Sequence, residues 1–436
     1  MTVTRFAPSP TGFLHIGNLR TALMNRLIAA QQGGRFVLRL DDTDPERSMP
    51  EYAEAIEQDL TWLGLTWDTM IRQSDRLALY DAAADRLRAS GRLYECFETP
   101  AELELKRRSQ LAAGQPPVYD RAALRLTDEE KDALRAGRPG HWRFRLDPGR
   151  IEWKDGILGD VSIDASSVSD PVLIRGDGQY LYTLASVVDD HDMGITDIVR
   201  GSDHVTNTAT QIQMFQALGG DVPRFAHHSL LTGPGGEALS KRLGTLALRD
   251  LREAGVEPMA LVSLLARLGS SDPVVVQRSL GDVAEGFRID AFGSAPTKFN
   301  PDDLAPLSAR FLHEMEHDEV ADDLAAIGVP PDQSAAFWKA IRGNIEKRSE
   351  IPEWWAICQG RFEPDVDAED ADFVRTAIAM LPDQPWDGNT WKTWTGAVKT
   401  ETGRKGRGLF MPLRKALTGR SSGPDMSEFL PLLTRG

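Results

Sequence analysis

Apolar residues recur at helical and strand periods in turn along the first 70 positions. Leu19, Leu23, Leu27 and Ala30 stand at helical spacing behind a Pro/Gly-rich loop, which predicts an amphipathic helix over 17–30 closed by Gly33-Gly34. Arg35-Phe36-Val37-Leu38-Arg39-Leu40 then reads as a buried strand. With Thr4-Arg5-Phe6 as a short strand in front, the order is β-loop-α-turn-β, the first half of a doubly wound nucleotide-binding sheet. Ligands of such sheets sit beyond the carboxyl ends of the strands, where Asp41, Asp42 and Asp44 fall. Ser48 and Glu51 have capping-box spacing, and Tyr52, Ile56, Leu60 and Leu63 carry the next helix.

The period is less regular over 72–170, where Arg- and Glu-rich helical segments alternate with Gly/Pro breaks, as expected of a subdomain inserted into the sheet. The sheet is predicted to resume at Val172-Leu173-Ile174-Arg175, to continue at Gln179 to Ala185 and then at Asp197-Ile198-Val199-Arg200. A helix follows over 208–218 and a strand over 225–231, and Gly233-Pro234-Gly235-Gly236 forms a turn or loop. From Pro301 strands become scarce. Val320, Leu324 and Ile327, then Ile341, Ile345 and Trp354-Trp355, predict packed helices joined by Pro-rich links.

Composition narrows the class. The 436 residues, 41% hydrophobic and 26% charged, suit a soluble multidomain protein, and no apolar stretch is long enough to cross a bilayer. The start carries no apolar signal core, and two unrelated cysteines, Cys96 and Cys358, offer neither a disulfide framework nor a Cys-rich zinc site, so a cytoplasmic location without zinc is expected. A net charge of −15 argues against wholesale nucleic-acid binding. Local distribution decides contact, however, and Arg404, Lys405, Arg407, Arg414, Lys415 and Arg420 occur in a run without any acid. That run is either an RNA contact or an exposed loop and helix cap.

The chemistry concentrates in Ala7-Pro8-Ser9-Pro10-Thr11-Gly12-Phe13-Leu14-His15-Ile16-Gly17-Asn18 and, far downstream, Ala238-Leu239-Ser240-Lys241-Arg242. A loop entering a helix N-terminus presents free amides to a phosphate chain. Pro10, Thr11, His15, Gly17 and Asn18 would hold ATP there, with Ser240 and Lys241 closing over the triphosphate. Activating a carboxylate on the α-phosphate demands alignment and charge compensation rather than an acid–base residue, because the nucleophile is already an anion. His15 and Lys241 are therefore the expected catalytic pair.

These motifs resemble the class I aminoacyl-tRNA synthetases, and within them the bacterial glutamyl-tRNA synthetase family. His15-Ile16-Gly17-Asn18 is similar to His-Ile-Gly-His, and Ala238-Leu239-Ser240-Lys241-Arg242 to the Lys-Met-Ser-Lys-Ser loop. Val187-Val188-Asp189-Asp190-His191, Gly403-Arg404-Lys405-Gly406 and Pro412-Leu413-Arg414-Lys415-Ala416-Leu417-Thr418-Gly419 extend the likeness over nearly the whole chain. The resemblance implies an α/β multidomain fold. A Rossmann-like catalytic domain in two halves (1–71 and 171–235) carries an inserted acceptor-end-binding subdomain (72–170). A Ser-Lys loop and stem-contact region (236–300) and an all-α anticodon-binding domain (301–436) follow. It implies the two-step, ATP-dependent attachment of glutamate to tRNA(Glu), with tRNA(Gln) open as a further acceptor, Mg²⁺ accompanying ATP, and a monomer.

The resemblance also implies a glutamate pocket. Arg5 and Arg200 would bind the side-chain carboxylate and Asp41 the α-ammonium, with Tyr182, Ala7 and Ser9 lining the site. Two arginines facing one ligand favour glutamate over glutamine. Arg404, Lys405, Arg407 and Arg414 would meet tRNA, while Trp354 and Trp355 are either stacking platforms or, being adjacent on a helix, core. Several positions depart from the family pattern. Asp41 is one methylene shorter than the usual glutamate, Asn18 replaces a histidine, Ala238 replaces the first lysine of its loop, and Ser202 stands where glutamate is common. A glutaminyl-tRNA synthetase, a shorter paralogue that glutamylates a modified tRNA base and a non-catalytic tRNA-binding paralogue are the alternative readings.

Overall fold

The computed structural model of the chain describes residues 1–237, Leu239 and 247–434. Its strands and helices run in the order β1 (Val3–Phe6), α1 (Ile16–Gln31), β2 (Arg35–Leu40), α2 (Pro50–Trp62), β3 (Thr69–Arg72), α3 (Leu77–Ala89), β4 (Leu93–Cys96), α4 (Pro100–Ala112), α5 (Asp128–Gly137) and β5 (His141–Phe144). They continue with β6 (Arg150–Asp155), β7 (Gly159–Asp164), β8 (Val172–Ile174), α6 (Tyr182–Asp192), β9 (Asp197–Gly201), α7 (Val205–Ala217), β10 (Arg224–His228), β11 (Leu231–Thr232) and, after short helices, β12 (Thr297–Lys298).

Strand β1 pairs in parallel with β2, and β2 with β3. Strand β10 pairs in parallel with β9, which is joined to β1 where the Thr196 amide donates to the Val3 carbonyl at 2.9 Å. The parallel group β1-β2-β3 and the parallel pair β10-β9 therefore abut at Val3 and Thr196. Such a sheet needs cover on both faces, so its strands read as apolar runs. Helix α1 is buried around most of its circumference, Arg20 and Asn25 included, rather than on one stripe. It is wedged against β1, β2 and β9, so its polar positions face protein as well. Arg20 donates to the Ser229 and Leu268 carbonyls, and Asn25 to the Val199 carbonyl.

The structure corrects several sequence readings. Strand β8 closes an antiparallel sheet β4-β5-β8 instead of resuming the parallel one. The stretch 179–185 is not a strand: Gly178, at φ +87°, turns the chain so that the Arg175 amide donates to the Gln179 carbonyl, and α6 begins at Tyr182. The apolar run there, Leu184, Ala185, Val187 and Val188, belongs to a buried helix, which a short run cannot distinguish from a strand. Ser48 forms no capping box, because α2 starts later, with Met49 as cap and Pro50 in its first position. Strand β10 ends at His228, and Leu231–Thr232 pairs instead with Thr297–Lys298.

One apolar core spans the parallel sheet and much of the insertion, joining Val3, Val37, Leu184 and Ile198 to Tyr80, Leu87, Phe144 and Ile151. A small satellite of Tyr94, Cys96, Tyr119 and Ala123 is separate from it. Residues 1–252 and 262–300 make one compact unit, and 253–261 with 301–436 a second. The second unit holds no strand among the described residues after Lys298. Trp354 and Trp355 are both core there, packed edge-on against Phe429 and Phe337, so neither is open to stack on a base.

Candidate active site

The loop 7–14 leaves the carboxyl end of β1 and is held by its carbonyls. The Asp41 amide donates to the Pro8 carbonyl at 2.9 Å and the Met49 amide to the Pro10 carbonyl at 3.0 Å. Ser9 and Thr11 are exposed, Pro10 is buried and Ala7 partly so. At the helix start, His15 Nδ1 accepts the Gly17 and Asn18 amides at 3.1 and 3.4 Å, while Asn18 Oδ1 accepts the His15 amide at 3.2 Å. An Nδ1 used as acceptor leaves the ring proton on Nε2, which faces outward as a donor. Partial desolvation lowers the His15 pKa and favours that neutral form. Gly17 is needed for the ring itself: a Cβ there would stand 3.0 Å from His15 Cε1.

Downstream, His15 pairs with Ala247, the Leu248 amide donates to the Leu14 carbonyl at 3.0 Å, and Arg249 lies over the Phe13 ring at 4.4 Å. Chain from beyond the Ser-Lys motif is thus attached to the N-terminal loop. Ser240 and Lys241 themselves lie outside the described residues.

Beside the loop is a buried ion cluster. Arg5 Nε donates to Asp190 at 3.1 Å. Arg39 donates to both oxygens of Asp41, at 2.6 and 3.2 Å, and to Asp190 at 2.7 Å. Asp189 accepts from Gln73, Arg76 and Tyr80 at 2.8, 2.7 and 2.8 Å. Burial alone would lower the Arg39 pKa, but Asp41, Asp190 and Asp189 together hold it well above its usual value. Burial pushes Asp41 up to about 6 despite Arg39. Arg5 therefore enters the site already neutralised, and Asp41 already bonded.

Arg200, at the end of β9, is different. It is 4% exposed and meets only uncharged acceptors: Tyr182 Oη at 3.3 Å, Thr208 Oγ1 and Gln211 Oε1 at 2.6 Å each, and His227 Nε2 at 3.4 Å. Burial lowers its pKa, Tyr182 and Asp190 offset that only in part, and no carboxylate among the described residues lies in ion-pair range. A guanidinium held this way keeps its charge for an anion.

Sequence reasoning missed Asp190, Arg39, Thr208, Gln211 and His227. A signal existed for the first two: paired acids inside the apolar run of α6, and an arginine inside the apolar run of β2. In the second unit the basic run proves largely satisfied. Arg404 is paired to Asp370, Lys415 to Asp365 and Asp367, and Arg420 to Glu353, acids that the fold brings in from elsewhere. Arg414 is partly buried, leaving Lys405 and Arg407 exposed. In the insertion, Cys96, Glu98 and His141 present ligand-type atoms within 4.8 Å of one another, a grouping that Cys96 alone did not suggest. Tyr119 donates to Glu98 at 2.8 Å and Lys106 to the same oxygen at 3.4 Å, and burial pushes the Cys96 thiol up to about 12.

Comparison with known proteins points one way. The family described as tRNA synthetases class I (E and Q), catalytic domain, matches residues 1–290, and an anticodon binding domain matches 303–436. Glutamate–tRNA ligase 1 of Roseobacter denitrificans is 68% identical over 434 residues, covering 99% of this chain and 98% of that one. Glutamate–tRNA ligase 2 of Jannaschia sp. is 66% identical over 432 residues, covering 99% and 96%. A crystal structure of a glutamate tRNA ligase from Elizabethkingia meningosepticum in complex with its amino acid superimposes with a TM-score of 0.84 at 26% identity, covering 99% of this chain and 96% of that one.

Two outcomes follow from the geometry. In His15→Asn the shorter amide can still cap the helix but cannot supply the outward Nε2–H, so thermal stability is expected to hold while kcat/KM for ATP falls about 100-fold. Unfolding curves and ATP kinetics on the same preparation check it. An ammonium held at Asp41 needs an ionised carboxylate, so affinity for an amino-acid ligand should fall as pH drops through about 6 and be constant above about 7. Calorimetric titration across that range would show it; a flat profile would remove Asp41 from the ammonium site.

Proposed function

The chain belongs to the class I tRNA synthetases of the glutamate and glutamine branch, and from that premise we propose how its residues serve the reaction. It attaches glutamate to tRNA at the expense of ATP. The observation that carries the amino-acid assignment is Arg200, a buried cation among neutral acceptors. Glutamate's side-chain carboxylate neutralises it, whereas the carboxamide of glutamine would leave it buried and unpaired, at a cost of several kcal/mol. Arg5, its charge shared with Asp190, contributes a second donor and the walls of the pocket more than net charge. Tyr182 orients the same carboxylate, Asp41 takes the α-ammonium, and Ala7 and Ser9 line the loop side.

ATP, entering with Mg²⁺, lies along the helix N-terminus over Pro10, Thr11, Gly17 and Asn18, with His15 Nε2 donating to a phosphate oxygen. Ser240 and Lys241 complete the phosphate contacts. The α-carboxylate of glutamate attacks the α-phosphorus, and the bond to pyrophosphate breaks. The terminal ribose hydroxyl of tRNA then attacks the adenylate carbonyl, and AMP leaves. The insertion over 72–170 receives the acceptor end, 236–300 the stem and 301–436 the anticodon, with Lys405 and Arg407 the basic residues most free to meet RNA phosphates. Arg404 and Arg414 serve that surface from partly buried positions. The protein works as a cytoplasmic monomer.

The Cys96, Glu98 and His141 trio works without zinc in this reading. One thiol, one imidazole and one carboxylate fall short of the four-ligand set of a structural zinc site, and Glu98 already accepts from Tyr119 and Lys106.

Aminoacylation with radiolabelled glutamate, run separately on tRNA(Glu) and tRNA(Gln), should charge the first, and the ratio of rates defines the acceptor range. Failure to charge either would sink the enzymatic reading. Arg200→Gln should raise the glutamate KM about 100-fold or more with the ATP KM within about twofold. Elemental analysis of protein purified without chelators should find well under one zinc per chain, and chelation should leave charging unchanged.

A further inference from the structure

Strand β6 ends at Asp155, on the tip of the inserted hairpin, and this residue is buried against the catalytic sheet rather than exposed at a turn. Its Oδ1 accepts the amides of Ile157, Leu158 and His227 at 3.0, 3.1 and 3.0 Å. Its Oδ2 lies 2.5 Å from Nδ1 of His227 on β10, itself fully buried. The Gly156 amide donates to the Phe225 carbonyl at 2.9 Å, and a Cβ at Gly156 would stand 3.0 Å from that of Ala226, so the tip docks closely on β10. On the far side of the imidazole, Nε2 faces Thr208 Oγ1 at 2.9 Å and Arg200 Nε at 3.4 Å.

Set against Arg200, the donor and acceptor inventory favours the arrangement in which the Thr208 hydroxyl accepts from Arg200 Nη2 and donates to Nε2. Burial alone would raise the Asp155 pKa, but its bonds from His227 and the backbone amides hold it at about 2, so it is a pure acceptor. The His227 proton on Nδ1 then points to Asp155, and Nε2 carries a lone pair toward the Arg200 Nε–H. A proton on Nε2 would instead oppose donor to donor, and an imidazolium would oppose charge to charge. Asp155 thereby selects the tautomer in which His227 is a neutral acceptor, as are the other groups around Arg200.

We propose that Asp155 and His227 are positioning residues for Arg200, with the inserted hairpin supplying the carboxylate that orients the arginine for the substrate's side-chain acid. The inference rests on Arg200 being the receptor of that acid, as proposed above. Neither residue touches substrate. Asp155 acts through His227, and His227 through the guanidinium.

The test is steady-state aminoacylation with the full chain and tRNA(Glu), varying glutamate and ATP separately, on Arg200→Gln, Asp155→Asn, His227→Gln, His227→Asn and the double variant D155N/H227Q. In Asp155→Asn either amide orientation sets a donor against a donor, and the glutamate KM should rise about 10- to 100-fold, with kcat and the ATP KM within about threefold. Glutamine at 227 can place an oxygen near the Nε2 position and has no tautomer to select. H227Q should therefore stay within about fivefold of the parent, H227N should lose more, and D155N should add little on the H227Q background. Thermal unfolding of each variant separates these effects from instability, and if D155N does not fold the H227Q and H227N pair decides alone. If Arg200→Gln leaves the glutamate KM unchanged, the reading of Arg200 itself is wrong. If Arg200→Gln raises it while D155N does not, or if H227Q and H227N behave alike, the positioning role is overturned.

Discussion

Burying a guanidinium without a counter-ion is among the least tolerable arrangements in a folded protein, and the catalytic half of this chain is organised around where it does so and where it does not. Arg5 and Arg39 lie in adjacent strands and share Asp190, and Arg39 also holds both oxygens of Asp41. Removing any one of these groups would strand another charge in the core, so they are better regarded as one unit than as separate salt bridges. Arg200 lies outside that unit. Its hydrogen-bonding neighbours are uncharged, with no ion pair among the described residues, and that deficit is what the proposed role as receptor of an acid draws on.

That asymmetry changes what the two arginines do. From residue types alone, Arg5 and Arg200 look equivalent, two forks converging on one carboxylate. In the fold the first is tied down by Asp190 and the second is not, so in the roles proposed for them the first contributes geometry and the second the electrostatic selection between an acid and its amide. Asp41 is bonded twice to Arg39, and its raised pKa makes its charge state depend on the same network.

Much of this was legible in the sequence where residue type and spacing act locally. The helix behind the signature, the strand over 35–40 and the helical second unit follow from periodicity, and His15 at a helix start follows from the loop that precedes it. What could not be read are pairings across distance. Arg404 and Lys415 look like free cations until Asp370, Asp365 and Asp367 arrive beside them. The stretch 172–174 has the apolar character of a parallel strand, yet its partner is in the insertion. Helix α6 hid its nature because four apolar residues in five fit either element, while its acids Asp189 and Asp190 are polar only in composition, both being buried by partners far along the chain.

The insertion shows the same dependence at the scale of a subdomain. Gln73, Arg76 and Tyr80 satisfy Asp189, the neighbour of the carboxylate that holds Arg5. Asp155 satisfies His227, the neighbour of Arg200. Arg200 is thus one residue, and Arg5 two, removed from a group contributed by 72–170, and the apolar core runs through both parts. A catalytic sheet lacking this segment would expose Leu184 and Val3 and leave Asp189 and His227 without their partners in its interior. The insertion is therefore built into the surroundings of Arg5 and Arg200 as well as added to the sheet, and its hairpin is tied to β10 at His227, the side chain next to Arg200.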